Sequence, residues 1–147
     1  MTWKPHATVA AVIERDGKFL MVEEESEGQV VINQPAGHLD PDETLTAAVI
    51  RETREETAWD FYPQAITGIY LWTHAESQRT YLRAAFCGAC DNHDPLQTLD
   101  DGIIRAVWMS RNDLLANADK LRSPMVMRCI DDYLAGQRYP LELLITL

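Results

Sequence analysis

The stretch that most constrains this chain is a predicted helix over residues 43–57 whose apolar stripe turns into carboxylates. Leu45, Ala48 and Val49 recur at the i, i+3, i+4 spacing of one helix face, and continuing that face leads to Glu52, Glu55 and Glu56. With Leu45 as the zero of angle, these glutamates fall at about 340°, 280° and 20°, a cluster within roughly 100° of arc. Such a helix must bury its first half against a core and carry its second half to a place where crowded anions are tolerated. Its start is signalled by Asp40-Pro41-Asp42-Glu43: an N-cap aspartate, a proline at the first helical position and a capping-box glutamate, with Asp42 as an alternative N-cap.

Like charges three and four residues apart repel, and each anion near a helix C-terminus costs about 0.3 to 1 kcal/mol against the dipole. Two arrangements compensate for this. One is a solvated acidic face partly neutralised by Arg51 and Arg54. The other is a hard-cation site, since carboxylate oxygens are the ligands that Mg²⁺ or Mn²⁺ prefers.

The rest of the chain supplies a frame for that helix. Residues 7–14 and 18–24 are short, branched, apolar runs on either side of Arg15-Asp16-Gly17, which predicts a β-hairpin. Further strands are predicted at 30–33, 65–73, 80–87 and 103–109. Ser110 to Asp113 carries a capping-box pattern for a short second helix. Ser123-Pro124 opens a third, in which Val126, Ile130, Tyr133 and Leu134 keep helical spacing before Gly136 ends it. The resulting order, β-β-β-α-β-β-β-α-α, predicts an α/β fold with helices packed on a mixed sheet. No linker or repeat divides the 147 residues, so a single domain over 1–147 is expected.

A formal charge of −10 disfavours a nucleic acid polymer as partner. It leaves room for a small polyphosphate if carboxylates gather divalent cations, because each cation reverses the local field. The polar N-terminus, the absence of a long apolar run and the three cysteines predict a cytoplasmic protein that has no membrane association. A monomer or small homo-oligomer is expected.

The glutamates sit in a longer pattern. Gly37, then Glu43 after five residues, then Arg51-Glu52-Thr53-Arg54-Glu55-Glu56-Thr57-Ala58-Trp59 after seven, resembles the Nudix box, here residues 37–59. Thr53 and Trp59 stand where that pattern has bulky aliphatics, and Ala58 stands at its glycine. That last position often needs a left-handed backbone, where alanine costs about 1 kcal/mol. The resemblance implies an α/β/α sandwich around a mixed β-sheet and hydrolysis of a phosphoanhydride with Mg²⁺, for which Mn²⁺ can substitute. It implies Glu52, Glu55 and Glu56 as metal ligands with the backbone carbonyl of Ala36. Arg51 would orient the carboxylates, and Glu43 would brace the start of the helix. Gly37 would form a backbone turn too close to the metal for a side chain. The general base stays open among Glu56, Glu55, Asp100 and Asp101.

Segments 4–6, 33–39, 121–124 and 136–142 resemble a phosphatase branch of the same family. That branch acts on hydroxymethylpyrimidine diphosphate and on nucleoside di- and triphosphates, releasing orthophosphate, and the resemblance implies that substrate class here. A pyrimidine ring needs aromatic or amide partners. The candidates are Gln34, Tyr70, Trp72 and Tyr81, with Arg83 two residues beyond Tyr81 and so on the same strand face. Arg122 and Arg138 are candidates for a distal phosphate, and His38 adjoins the box. Cys87 and Cys90 have redox or zinc spacing but no second pair to complete a site. His6, His74 and His93 carry no pattern, and Trp59 and Trp108 read as packing residues. Two rivals to this reading are a Nudix pyrophosphatase for another substrate such as ADP-ribose and a Nudix module that senses nucleotides without cleaving them.

Overall fold

The computed structural model describes residues 2–147; Met1, the first residue of the polar N-terminal stretch, lies outside them. The strands are β1 (His6–Val12), β2 (Glu14–Arg15), β3 (Lys18–Ser26), β4 (Gln29–Asn33), β5 (Ala36–His38), β6 (Asp60–Thr73), β7 (Thr80–Asp91) and β8 (Ile103–Ser110). The helices are α1 (Leu45–Thr57), α2 (Arg111–Ala116) and α3 (Pro124–Leu134), with single 3-10 turns at Ala118–Lys120 and Leu141–Leu143.

The predicted N-terminal hairpin is reduced to two residue pairs, Glu14 with Phe19 and Arg15 with Lys18, around the Asp16-Gly17 turn. β1 instead runs parallel to β7 and antiparallel to β5. Thr8 through Val12 are buried without alternation, as befits a strand covered on both faces. Ile13 is where the chain changes sheets, its carbonyl accepting the Leu20 N–H at 3.0 Å. β5 went unrecognised because three residues of Ala, Gly and His carry no strand signal of their own.

Two sheets result. The first, ordered β5-β1-β7-β6, is mixed; in the second, β3 pairs antiparallel with β2 and β4 and, separately, with β8. α1 covers one side, where Ala48 and Val49 share a core with Val9, Ala11 and Phe86 of the first sheet and Leu20 of the second. α3 covers the other, packing Val126, Cys129 and Ile130 against Val12, Ala85, Phe19 and Met21. Ser110 and Ser123 cap α2 and α3 as predicted, Ser110 with both hydrogen bonds of a capping box. Among the described residues, no helix is long and apolar enough to cross a membrane.

Candidate active site

α1 begins two residues later than predicted, and its N-cap is neither Asp40 nor Asp42. Thr44 Oγ1 accepts the Ala47 N–H at 3.0 Å, while Glu43, outside the helix, accepts the Asp40 N–H at 3.0 Å. Asp42 has φ +62°, a left-handed conformation that an N-cap residue does not adopt. The change frees the Glu43 carboxylate for Arg51, whose Nε and Nη2 donate to its two oxygens at 2.7 and 2.9 Å. These bonds hold the Glu43 carboxyl down at about 2. In return, Glu43 first and then Glu55 and Glu52 raise the Arg51 guanidinium above its ordinary range.

Arg51 is the compensation that the clustered glutamates require. Its Nη1 donates to Glu52 Oε1 at 2.7 Å and Glu55 Oε1 at 2.8 Å, and its Nη2 also reaches the His38 carbonyl at 3.0 Å. One planar fork thus ties the loop before α1 to two carboxylates on it. Arg54 takes no part, turning instead to the carbonyls of Ala58 and Asn92 and to Asp60.

Glu56 lies deepest, 7% exposed, with Oε1 accepting the Ala36 N–H at 2.9 Å. Burial pushes its carboxyl up to about 9; the Ala36 bond opposes this, and the charges of Glu24, Glu52 and Asp100 add to it. Glu52 is also raised, chiefly by burial. Ala36 stands opposite Ala10 in the β1–β5 ladder at a site that pairs with neither backbone group of β1, so its N–H and carbonyl both face outward, toward Glu56. Gly37 is in a strand rather than a turn, yet the spatial demand is there: a Cβ at this position would collide with the Glu52 carboxylate. Glu55 is more open, and its backbone carbonyl accepts the Asp100 N–H at 2.9 Å, fixing the 100–102 loop beside the C-terminal half of α1. Ala58, at the end of α1, is left-handed with φ +62°.

Part of this set borders a cleft of about 720 Å³ between the edges of the two sheets, while Glu43, Arg51 and Glu55 stand outside its lining. Ala36, Gly37, His38, Glu52, Glu56, Trp72, Tyr81, Arg83, Asp100 and Arg122 all line it. Tyr81 and Trp72 stack with centroids 6.0 Å apart, forming an aromatic wall across from the glutamates. His38 is held below its ordinary pKa by burial and then by His6, Arg122 and Arg79, and so is neutral at pH 7. Arg122 Nη1 donates to Glu24 at 2.6 Å.

Three predicted contacts are elsewhere. Gln34 is fully buried behind the wall, its amide donating to the Val126 carbonyl and accepting from Arg83. Tyr70 hydrogen-bonds to Asp132 of α3 at 2.7 Å and faces a separate cavity of about 730 Å³. Arg138 lies over Tyr133, away from the cleft. Glu24, Asn33 and Arg79 line the cleft without having been anticipated, and His6 packs against both His38 and Tyr81. They come from separate strands and loops, so no local spacing marks them.

Among the described residues, no three acidic, histidine or cysteine side chains already converge as a ligand set. Arg51 holds one oxygen of Glu52 and one of Glu55, and Glu56 leans on Ala36. The donor set nevertheless fits a hard divalent cation. It offers carboxylate oxygens and an outward carbonyl, beside a glycine whose missing side chain makes the room.

A NUDIX domain model matches residues 4–129. The chain belongs to the Nudix family. Phosphatase NudJ from Escherichia coli strain K12 is 43% identical over 142 residues, which cover 97% of this chain and 92% of that protein. The Shigella flexneri phosphatase NudJ matches to the same extent. A solved structure, a Nudix hydrolase from Nitrosomonas europaea, superposes with a TM-score of 0.96 at 50% identity and covers 98% of both chains. The Nudix α/β fold is therefore shared end to end, and the protein is a hydrolase acting on phosphoric anhydrides.

Proposed function

We propose that this Nudix hydrolase is a Mg²⁺-dependent phosphatase, with Mn²⁺ able to substitute. In this reading it removes the terminal phosphate of hydroxymethylpyrimidine diphosphate and of nucleoside di- and triphosphates as orthophosphate. The observation that carries the reading is the cleft itself, with the box carboxylates on one side and an aromatic and arginine wall on the other. The resemblance to phosphatases along nearly the whole chain supports the same substrate class.

Glu52, Glu55, Glu56 and the Ala36 carbonyl would hold the cation. The chemistry such an ion supplies when bound is neutralisation of phosphate charge and acidification of water. The chain's own groups do the rest. Arg51 presents Glu52 and Glu55 in one orientation while Glu43 pins Arg51 from behind. The base that takes the water proton is one of Glu56, Glu55, Asp100 and Asp101. Of these Glu56 has a raised proton affinity and Asp100 lines the cleft. Arg122 exchanges Glu24 for the distal phosphate, and Trp72 and Tyr81 receive the ring. Domain organisation is simple in this reading, with one catalytic unit spanning residues 1–147.

The test is product analysis with Mg²⁺ on hydroxymethylpyrimidine diphosphate, nucleoside di- and triphosphates and ADP-ribose. Orthophosphate release led by the pyrimidine diphosphate is expected. Pyrophosphate release, or preference for ADP-ribose, overturns the substrate assignment and leaves the Nudix chemistry intact.

A further inference from the structure

Arg83 is only 4% exposed, yet its charge has no counter-ion among the described residues. Its guanidinium donates to Gln34 Oε1 at 2.9 Å, Asn33 Oδ1 at 3.0 Å and Cys129 Sγ at 3.9 Å, and Nε has no partner among the described residues. Gln34 and Asn33 are neutral, and burial raises the Cys129 thiol, keeping it protonated. None of the ion pairs of the described residues includes Arg83. A buried, unpaired cation is strongly destabilising, so a chain that keeps one at a cleft wall gains something from it elsewhere.

Asn33 extends the same pattern. Arginine only donates, so the Asn33 amide must turn its oxygen to Arg83 and its Nδ2 hydrogens away. That Nδ2 has no partner among the described residues. Among the described residues only Arg83 Nε is both unpartnered and sealed from solvent, so the Asn33 amide opens to the cleft that Asn33 lines. Arg83 Nη2 keeps a second hydrogen beside it. The floor below the Tyr81–Trp72 wall therefore presents donors from two adjacent side chains and a positive charge.

We propose that Arg83 and Asn33 form a donor-only floor that selects rings with two adjacent hydrogen-bond acceptors. Cytosine has such an edge in its O2 and N3; uracil-type rings place an N–H between their carbonyls. A ring held against the exposed edge of Tyr81 in the cleft brings its own edge to the floor, because Tyr81 and Arg83 project from one face of β7 and both line the cleft. Two acceptors satisfy both donors and the buried charge. An N–H there meets a donor head-on and leaves buried groups unpaired, the arrangement that gives strong discrimination. The inference rests on the cleft being the substrate site.

The experiment is calorimetric binding of CMP and UMP to the full chain in Mg²⁺, since these monophosphates have no anhydride bond to cleave. The wild-type protein is expected to bind CMP at least about tenfold more tightly than UMP. Asn33→Asp replaces a donor with an acceptor and supplies Arg83 with its missing carboxylate. It is expected to raise the thermal midpoint and to abolish or invert the CMP preference, whereas Arg83→Lys is expected to weaken the preference. Equal binding of the two nucleotides by the wild type, binding of neither, or a preference unchanged in Asn33→Asp overturns the proposal. Orthophosphate release from diphosphates by the same preparation shows whether the proposed reaction survives that outcome.

Discussion

Glu56 is where burial and charge are set most directly against each other. Glu56→Gln keeps an oxygen for the Ala36 N–H, so the fold is expected to persist by circular dichroism while phosphate release falls by about a hundredfold or more. Because the folded-state carboxyl sits at about 9 against an ordinary 4.5, the folded protein binds more protons than the unfolded chain across that interval. The Glu56 contribution to stability is thus full below the lower value and is lost as pH rises through the upper one. In chelator, the thermal midpoint should fall between pH 5 and 9, as about those limits require, and the fall should be shallower in Glu56→Gln. Gly37→Ala tests the neighbouring carboxylate. The added methyl displaces the Glu52 carboxylate rather than backbone and breaks its bond to Arg51, so turnover is expected to drop by about tenfold with a loss of stability of about 1 kcal/mol.

The box helix shows how much of an element local chemistry can reveal. Its apolar face and its length to within two residues were legible, because each depends on neighbours three or four positions away, and the resemblance to the box pointed to the left-handed residue at its end. Its N-cap was not. Asp40, Asp42 and Thr44 all carry capping side chains, and the choice was made by Arg51, which draws Glu43 out of the helix into a brace. Thr44→Ala should therefore cost about 1 kcal/mol in urea unfolding, and Asp40→Ala only a few tenths. β1 gives the complementary lesson. Its strand character was readable, but its partner β7 lies some seventy residues away in sequence, and the hairpin that adjacency suggested survives as only two pairs.

At the scale of the whole molecule, the site is a junction between two sheets with α1 at its rim. α1 contributes the carboxylates, β5 the glycine and carbonyl beneath them, and β4, β6 and β7 the opposite wall. A cation bound there is linked to folding. Mg²⁺ or Mn²⁺ should raise the thermal midpoint of the chelator-treated protein, by more at pH 8 than at pH 6, because the ion and the proton compete for Glu56. EDTA should abolish turnover and excess Mg²⁺ restore it; full activity in chelator would contradict the metal assignment.

The sequence by itself determined the gathering of Glu52, Glu55 and Glu56 on one face of one helix, and its resemblance to the Nudix box pointed to the family and to the Arg51–Glu43 brace. Helical geometry converts their spacing directly into proximity. Tertiary structure alone decided which aromatic and amide side chains share the cleft. Tyr70 and Tyr81 look alike in sequence, but one is drawn to Asp132 on α3 while the other stacks against Trp72. Gln34 and Asn33 are neighbours in the chain, and because β4 ends at Asn33 their amides reach different surroundings around the same buried arginine. Strand pairing across distant segments made those assignments, and no periodicity within any one segment encodes it.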